Sequence, residues 1–248
     1  MNYVFDVDGT LSFNGTRIEP DIIASIKELE RMGNQIIFAS ARPIRDLVPI
    51  IPAFQHNLLI GGNGAIVSKA DAIEVMSPIS DNDFNYLKRL MKTYNLEHIV
   101  DGKWNYSAQV SSENTIIRQL DPDGLAKNIP IEGISNPIKV ILLGIDEQRM
   151  SLITNMIRAN TELELVEHVG ERNLDMTAKG INKSRTLDLL GIDQYIAFGN
   201  DMNDIKMLSG AIKSFWVKSK PDLSAQASTF DAILEPDQVS SAIQSLCI

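Results

Sequence analysis

Cysteine is almost absent from this chain of 248 residues: the one present, Cys247, stands beside the last residue. No intrachain disulfide and no cysteine cage for a metal can form, and a reducing, cytoplasmic location is the simplest expectation. Histidine is scarce too. His56, His98 and His168 are scattered with no metal-ligand spacing, and they read as structural or surface side chains. Basic residues are in deficit, 23 Lys and Arg against 32 Asp and Glu, for a formal net charge of −9. With no Lys/Arg block either, nucleic acid and anionic membrane are not expected as main partners. Long apolar runs are also missing, since none approaches the ~18 residues that a bilayer-spanning helix requires. Near the amino end, Tyr3, Val4 and Phe5 run into acidic Asp6 and Asp8, a pattern of a buried strand and not of a signal peptide.

What is present describes an ordinary folded protein. Apolar residues make up 44% and charged residues 22%, values that fit neither a disordered nor a fibrous chain. The length suits one large domain or two modest ones. Short apolar runs at Tyr3 to Val7, Gln35 to Ala39, Asn57 to Ile60, Tyr195 to Phe198 and Ser214 to Val217 alternate with helical patterns, which predicts a parallel sheet with helices on its faces. Pro20 opens the first helix, and Ile22, Ile23, Ile26, Leu29 and Met32 follow at helical spacing until Gly33. A second helix follows Ala41, its limits blurred by Pro43, Pro49 and Pro52.

The texture changes near Ser77-Pro78. A helix capped around Ser80 or Asp81 is expected, then polar strands such as Lys103 to Val110, an apolar strand at Ile138 to Ile145, a helix over Glu147 to Arg158 and a strand at Glu164 to Val169. The expected organisation is an α/β core formed by residues 1–78 and 172–248, interrupted by an inserted α+β module at 79–171. Trp104 and Tyr106 fall on a strand of the module and receive no functional role.

The strongest chemical signal is Asp6-Val7-Asp8-Gly9-Thr10-Leu11, at the end of the first strand. Ligands of open α/β sheets bind outside the carboxyl ends of strands, where these carboxylates fall. Two carboxylates so close repel each other, and a hard divalent cation such as Mg²⁺ would relieve that cost. A turn after a strand is the plainer use of Asp and Gly.

This motif resembles the start of the haloacid dehalogenase superfamily, in particular its Cof-type phosphatases. The family's later motifs have counterparts in the correct order. Ser40 in Ile37-Phe38-Ala39-Ser40-Ala41-Arg42-Pro43 matches the hydroxyl that ends the second strand. Lys183 in Lys179-Gly180-Ile181-Asn182-Lys183-Ser184 matches the lysine that opens a later helix, with Ser184 in place of the usual glycine and Lys179 as a competitor by proximity. Phe198-Gly199-Asn200-Asp201-Met202-Asn203-Asp204 resembles the family's acidic motif, except that Asn200 stands where an aspartate is usual. The Gly61-Gly62-Asn63-Gly64-Ala65 stretch resembles a family loop that reads equally as a tight turn or a substrate contact. Val217-Lys218-Ser219-Lys220-Pro221 departs from the Asn-Ala pair that the family often has.

The resemblance implies a Rossmann-like parallel sheet core with an inserted α+β cap that closes over it. It implies a Mg²⁺-dependent phosphomonoester hydrolase acting on a small phosphorylated metabolite, a sugar phosphate first, through an aspartyl-phosphate. Asp6 would be the nucleophile and Asp8 the proton carrier, with Ser40, Lys183 and backbone N–H groups near Val7 and Asp8 holding the phosphoryl oxygens. Asp6, Asp8, Asn200, Asp201 and Asp204 are the candidate metal residues, the third ligand being either Asn200 or Asp201, with Asp204 acting through water or through a bond to Lys183. Arg42, Asn63 and Asn203 are candidate substrate contacts. A phosphomutase and a phosphometabolite-binding protein without turnover are the alternative readings.

Overall fold

The computed structural model describes residues 1–168, 172–219 and 229–247. The chain divides into two compact units, residues 1–72 with 182–248, and residues 73–181. In chain order the strands are β1 (Asn2–Phe5), β2 (Gln35–Ala39), β3 (Leu58–Gly61), β4 (Ile66–Lys69) and, across the unit boundary, β5 (Ala72–Val75). The second unit holds β6 (Glu97–Asp101), β7 (Tyr106–Gln109), β8 (Lys139–Leu143), β9 (Glu164–His168) and β10 (Asn173–Thr177). The first unit resumes with β11 (Tyr195–Gly199), β12 (Lys213–Val217) and β13 (Ala232–Leu234). The division falls at 72/73 and 181/182 instead of the expected 78/79 and 171/172. One reason is that β10 pairs antiparallel with both β8 and β9, which ties Asn173–Thr177 to the second unit.

The larger sheet runs β13-β12-β11-β1-β2-β3-β4-β5. Pairing is parallel from β13 through to β3, and β4 returns antiparallel to β3. From β1 the chain builds outward to β2 and β3 on one side and later to β11 and β12 on the other. The order therefore reverses between β1 and β11, which is where an open α/β sheet leaves a crevice for a ligand. Phe5 pairs in register with Phe38 and Phe198, and Phe198 with Phe215. Their rings form a row across the sheet, with centroids 5.0 Å apart for Phe5 and Phe198 and 4.3 Å apart for Phe198 and Phe215. Each buried ring contributes on the order of 1.5–3 kcal/mol, and the row fixes the height at which β1 delivers Asp6.

Helix α1 (Pro20–Arg31) begins at Pro20, whose missing N–H costs nothing in a first turn, and buries Ile22, Ser25, Ile26 and Leu29. Ile23 and Met32, also expected on the apolar face, are partly or well exposed. Pro43 caps the short α2 (Ile44–Leu47). Among the described residues no helix is long and apolar enough to cross a membrane.

The second unit is an antiparallel sheet in the order β7-β6-β8-β10-β9. Helices α3 (Asp81–Tyr94) and α4 (Glu147–Asn160) share one core with it. Ser80 Oγ accepts from Asp83 N and Asp146 from Arg149 N, so each helix starts on a side-chain cap. Alternation along the strands turns Val100, Val140, Leu142, Leu174 and Met176 into this core, against Phe84, Leu87 and Met91 of α3 and Ile153 and Ile157 of α4. His98, two residues before Val100, shares that face and pairs in register with Leu142. The described part of β9 ends at His168, and Val169, expected in that strand, lies outside the described residues, as does the side chain of His168.

Candidate active site

The last residue of β1 is followed by Asp6, whose N–H donates to Phe198 O at 2.9 Å, so β1 and β11 together hold its backbone. The chain then turns tightly: the N–H groups of Thr10, Leu11 and Ser12 all donate to Val7 O. Gly9 sits at φ +81°, and a Cβ there would strike the Asn200 amide and lie 2.8 Å from Ser219 Oγ. Only glycine satisfies both the backbone conformation and that approach.

The Asp6 carboxylate is buried, and each oxygen has its own partners. Lys183 Nζ donates to Oδ1 at 2.6 Å, and Thr10 Oγ1 donates to Oδ2 at 2.8 Å. Thr10 is completely buried. It was missed among the expected site residues, and the available signal was its place inside the Asp6-to-Leu11 motif, four residues beyond Asp6.

Lys183 opens helix α5 (Lys183–Leu189), whose cap is Asn182, accepting from Arg185 N. Thr186 Oγ1 donates to Gly64 O at 2.7 Å and docks this helix on the loop after β3. Lys183 Nζ is thereby buried between Asp6 and Asp204, donating also to Asp204 Oδ1 at 2.7 Å. Asp204 Oδ2 in turn accepts from the N–H groups of Asn200, at 3.0 Å, and Asp201, at 3.1 Å. Gly199 permits this closeness, because a Cβ there would come within 2.7 Å of Asp204 Cβ. Asp204 therefore stands behind the lysine, as its anchor. Asp201 caps the short turn that follows, with its side chain accepting from Met202 N.

Burial is the main reason the Asp6 carboxyl is pushed up to about 7. Asp204 adds to the rise, Lys183 works against it, and Asp8 adds a smaller push. Burial opposes the charge on Lys183, but Asp204 and Asp6 outweigh it and its ammonium is held above the usual lysine range.

Asn200 is buried beside Asp6. In the amide orientation that satisfies its neighbours, Nδ2 lies 2.9 Å from Asp6 Oδ2, 3.0 Å from Thr10 Oγ1 and 3.0 Å from the main-chain O of Asp8, while Oδ1 accepts from Ser219 Oγ at 2.7 Å. In the opposite orientation the amide oxygen joins Asp6 Oδ2 and the Asp8 carbonyl in a group of three oxygens.

The Asp8 side chain is engaged by Arg42. Both its oxygens accept from Arg42, Nε to Oδ2 at 2.8 Å and a terminal nitrogen to Oδ1 at 2.7 Å, and that nitrogen also donates to Gly15 O at 3.0 Å. The guanidinium expected as a substrate contact is thus engaged with a carboxylate of the motif. Ser40, completely buried, accepts from Arg42 N at 3.1 Å, and among the described residues its hydroxyl proton has no acceptor. Asn63, in a left-handed conformation at φ 56°, accepts at Oδ1 from Asn203 Nδ2 at 2.8 Å, and Asn203 Oδ1 is buried without a partner. The structure links Asp6, Lys183, Asp204, Asn200 and Thr10 in one set of hydrogen bonds and Asp8, Arg42 and Ser40 in another. Lys179, the competitor to Lys183, pairs on the surface with Glu162 at 3.2 Å.

Known proteins match this architecture along nearly the whole chain. Residues 3–235 match the model of the haloacid dehalogenase-like hydrolases. A Mycoplasma pneumoniae protein carrying the provisional description of a phosphatase is 25% identical, over 96% of this chain and 93% of its own. A haloacid dehalogenase-like hydrolase from Bacteroides thetaiotaomicron superposes with a TM-score of 0.84 at 17% identity, covering 99% of this chain and 98% of that one. The sugar phosphatase BT4131, of HAD subclass IIB, superposes with a TM-score of 0.78 at 23% identity, covering 100% and 99%. The chain belongs to the haloacid dehalogenase-like hydrolases, and its activity is hydrolysis of the phosphoryl-transfer type that the family's phosphatases carry out.

Proposed function

We propose that this enzyme is a Mg²⁺-dependent phosphomonoesterase for a small phosphorylated metabolite, with a sugar phosphate as first choice, and that it works through a phosphorylated Asp6. The observation that carries the reading is the placement of Asp6: a buried carboxylate at the sheet's reversal point, one oxygen fixed by Lys183 and the other by Thr10. The sugar phosphate is favoured by likeness of fold to a sugar phosphatase.

Among the described residues no cluster of three or more His, Cys, Asp or Glu is arranged to hold a metal. The oxygens of Asp6 Oδ2, the Asp8 carbonyl and, with its amide turned inward, Asn200 are nevertheless a hard-donor set, and they fit Mg²⁺. These three residues would hold it, with Asp201 and Asp204 committed to capping and to Lys183. Bound there, the ion would offset negative charge on Asp6 and on a phosphoryl group.

The chain's own groups account for the proton and the charge. Asp6 attacks phosphorus, and the ester P–O bond breaks. Asp8 gives its proton to the departing alcohol. Water then attacks the same phosphorus, Asp8 takes a proton from it, and the Asp6–phosphorus bond breaks to leave inorganic phosphate. Both Asp8 oxygens accept from Arg42, so either transfer exchanges one of those hydrogen bonds. The Ser40 hydroxyl and Lys183 ammonium would be the donors to the equatorial oxygens.

A panel of phosphomonoesters, with released phosphate measured at millimolar Mg²⁺, tests this. Turnover of at least one small phosphate is expected, with loss of activity in Asp6→Asn and label from substrate trapped on Asp6 after acid quench. Undiminished turnover in Asp6→Asn, or label on another side chain, would remove the nucleophile.

A further inference from the structure

We propose that the second unit carries a binding site of its own, for a small organic molecule with at least two negatively charged oxygens, in the cavity between the C-terminal half of α3 and the edge strand β7. The cavity holds about 790 Å³, and every residue that lines it belongs to residues 73–181. That volume lies within the ~300–1,000 Å³ usual for metabolite sites. None of the residues assigned to the phosphoryl chemistry lines it.

Charge is the first argument. Lys88, Arg89 and Lys92 all line the cavity, and Glu132 is the one acid there, in a protein whose net charge is −9. Among the described residues none of the three cations lies within ion-pair distance of a carboxylate. Lys88 Nζ rests 4.9 Å from the centre of the Phe84 ring and the Arg89 guanidinium 6.0 Å from that of Tyr86, contacts that leave the N–H donors unspent. The partial negative charge at the end of α3 amounts to roughly half a unit, less than the positive excess of the side chains around it.

His98 is the second argument, and it is independent of surface charge. Its side chain stands on β6, on the face that carries Val100 and opposite Leu142, where an apolar residue would extend the core. The residue is 7% exposed. Nδ1 donates to Leu96 O at 2.9 Å, the second ring nitrogen, Nε2, has no partner among the described residues, and the residue lines the cavity. With Nδ1 carrying the proton, Nε2 is left as an acceptor that a hydroxyl of a bound molecule would engage. Ser107 and Gln109, on the same face of β7, add polar groups to this wall, while Met91 and Ile129 give it an apolar floor. The cations and the apolar patch together fit an anionic metabolite with a carbon skeleton, its charge borne by phosphate or by carboxylate, and a hydroxyl on that skeleton would donate to His98 Nε2.

Titration of the metal-free, full-length protein with pyrophosphate and, separately, with citrate tests the site, read from ¹H–¹⁵N spectra of the backbone amides and of the His98 ring. At least one probe is expected to give saturable shifts at Ser107, Gln109 and His98 Nε2. A response to pyrophosphate alone assigns the charge to phosphate, and a response to citrate alone assigns it to carboxylate. The double variant Lys88→Gln/Lys92→Gln, at one half-buried and one exposed position outside the core cluster, is expected to weaken that binding at least about tenfold, and His98→Gln to weaken it while the Lys88 and Lys92 amides still respond. Shifts confined to the surroundings of Asp6, no saturable response to either probe, or undiminished binding in the double variant would overturn the proposal.

Discussion

Arg42 holds both carboxylate oxygens of Asp8 in a two-pronged pair, at 2.8 and 2.7 Å, and braces itself on Gly15 O at 3.0 Å. A planar fork fixes the direction of a carboxylate in a way that a lysine's point charge does not. Arg42→Lys is therefore expected to lower kcat about 10–100-fold through misplacement of the proposed proton carrier, with KM changed much less. Steady-state kinetics on any substrate found in the panel decides this, and an unchanged kcat would show that Asp8 needs no such guide.

Lys183 is shared between two buried carboxylates, so its removal strands both. Lys183→Met is expected to cost about 3–5 kcal/mol of stability, seen as a Tm lower by about 6–20 °C. Adding Asp204→Asn removes one of the stranded charges while keeping an acceptor for the N–H groups of Asn200 and Asp201. The double variant should thus melt higher than Lys183→Met alone, though still inactive. Thermal unfolding of the pair checks this, and a double variant that melts no higher would mean that charge is not what the lysine balances.

Much of this was legible in residue order. The apolar run before Asp6, the proline that opens α1 and the serine that caps α3 each act through neighbours a few residues away, and local chemistry suffices to read them. Lys183 was legible because its motif places it at a helix start. The engagement of Arg42 with Asp8 was not, since it joins residues 34 apart through a turn whose path no spacing specifies. Nor was the allegiance of Asn173–Thr177. It is a buried strand of mixed polarity, and what places it in the second unit is its pairing with β8 and β9. The role of Asp204 depends on Gly199 having no side chain, a steric fact visible only once the two are brought together.

The raised Asp6 carboxyl makes the protein's response to pH specific. Its value of about 7 exceeds that of an unfolded aspartate, so the folded protein binds a proton that the unfolded chain has released between about pH 4 and 7. The associated stability is fully present below about pH 4 and is lost as pH rises through 7. On the proposed reading, Mg²⁺ would compete for that same carboxylate. Its affinity should therefore rise about tenfold from pH 6 to pH 8, with close to one proton released per ion at pH 6 and little at pH 8. Calorimetric titration in buffers of different ionisation heat measures both quantities, and a flat affinity with no proton release would place the ion elsewhere.

Asn200 supplies the last test, because it stands against Asp6 Oδ2 at 2.9 Å where an acid would carry a second charge. In the metal-free protein the amide relieves Asp6 by donating to it, and Asn200→Asp would replace that donor with a repelling carboxylate in a buried place. The variant is expected to melt lower than the parent without metal. With Mg²⁺ the balance reverses, since a third anionic or carbonyl oxygen joins Asp6 and the Asp8 carbonyl around a hard cation, and affinity should increase about tenfold or more. The difference in Tm with and without 10-fold excess Mg²⁺ over the measured Kd, about 1.4 kcal/mol of linkage, should accordingly be reached at a lower Mg²⁺ concentration in the variant than in the parent. Equal Mg²⁺ dependence in the two proteins would show that residue 200 does not face the ion, and the three-oxygen set would have to be abandoned.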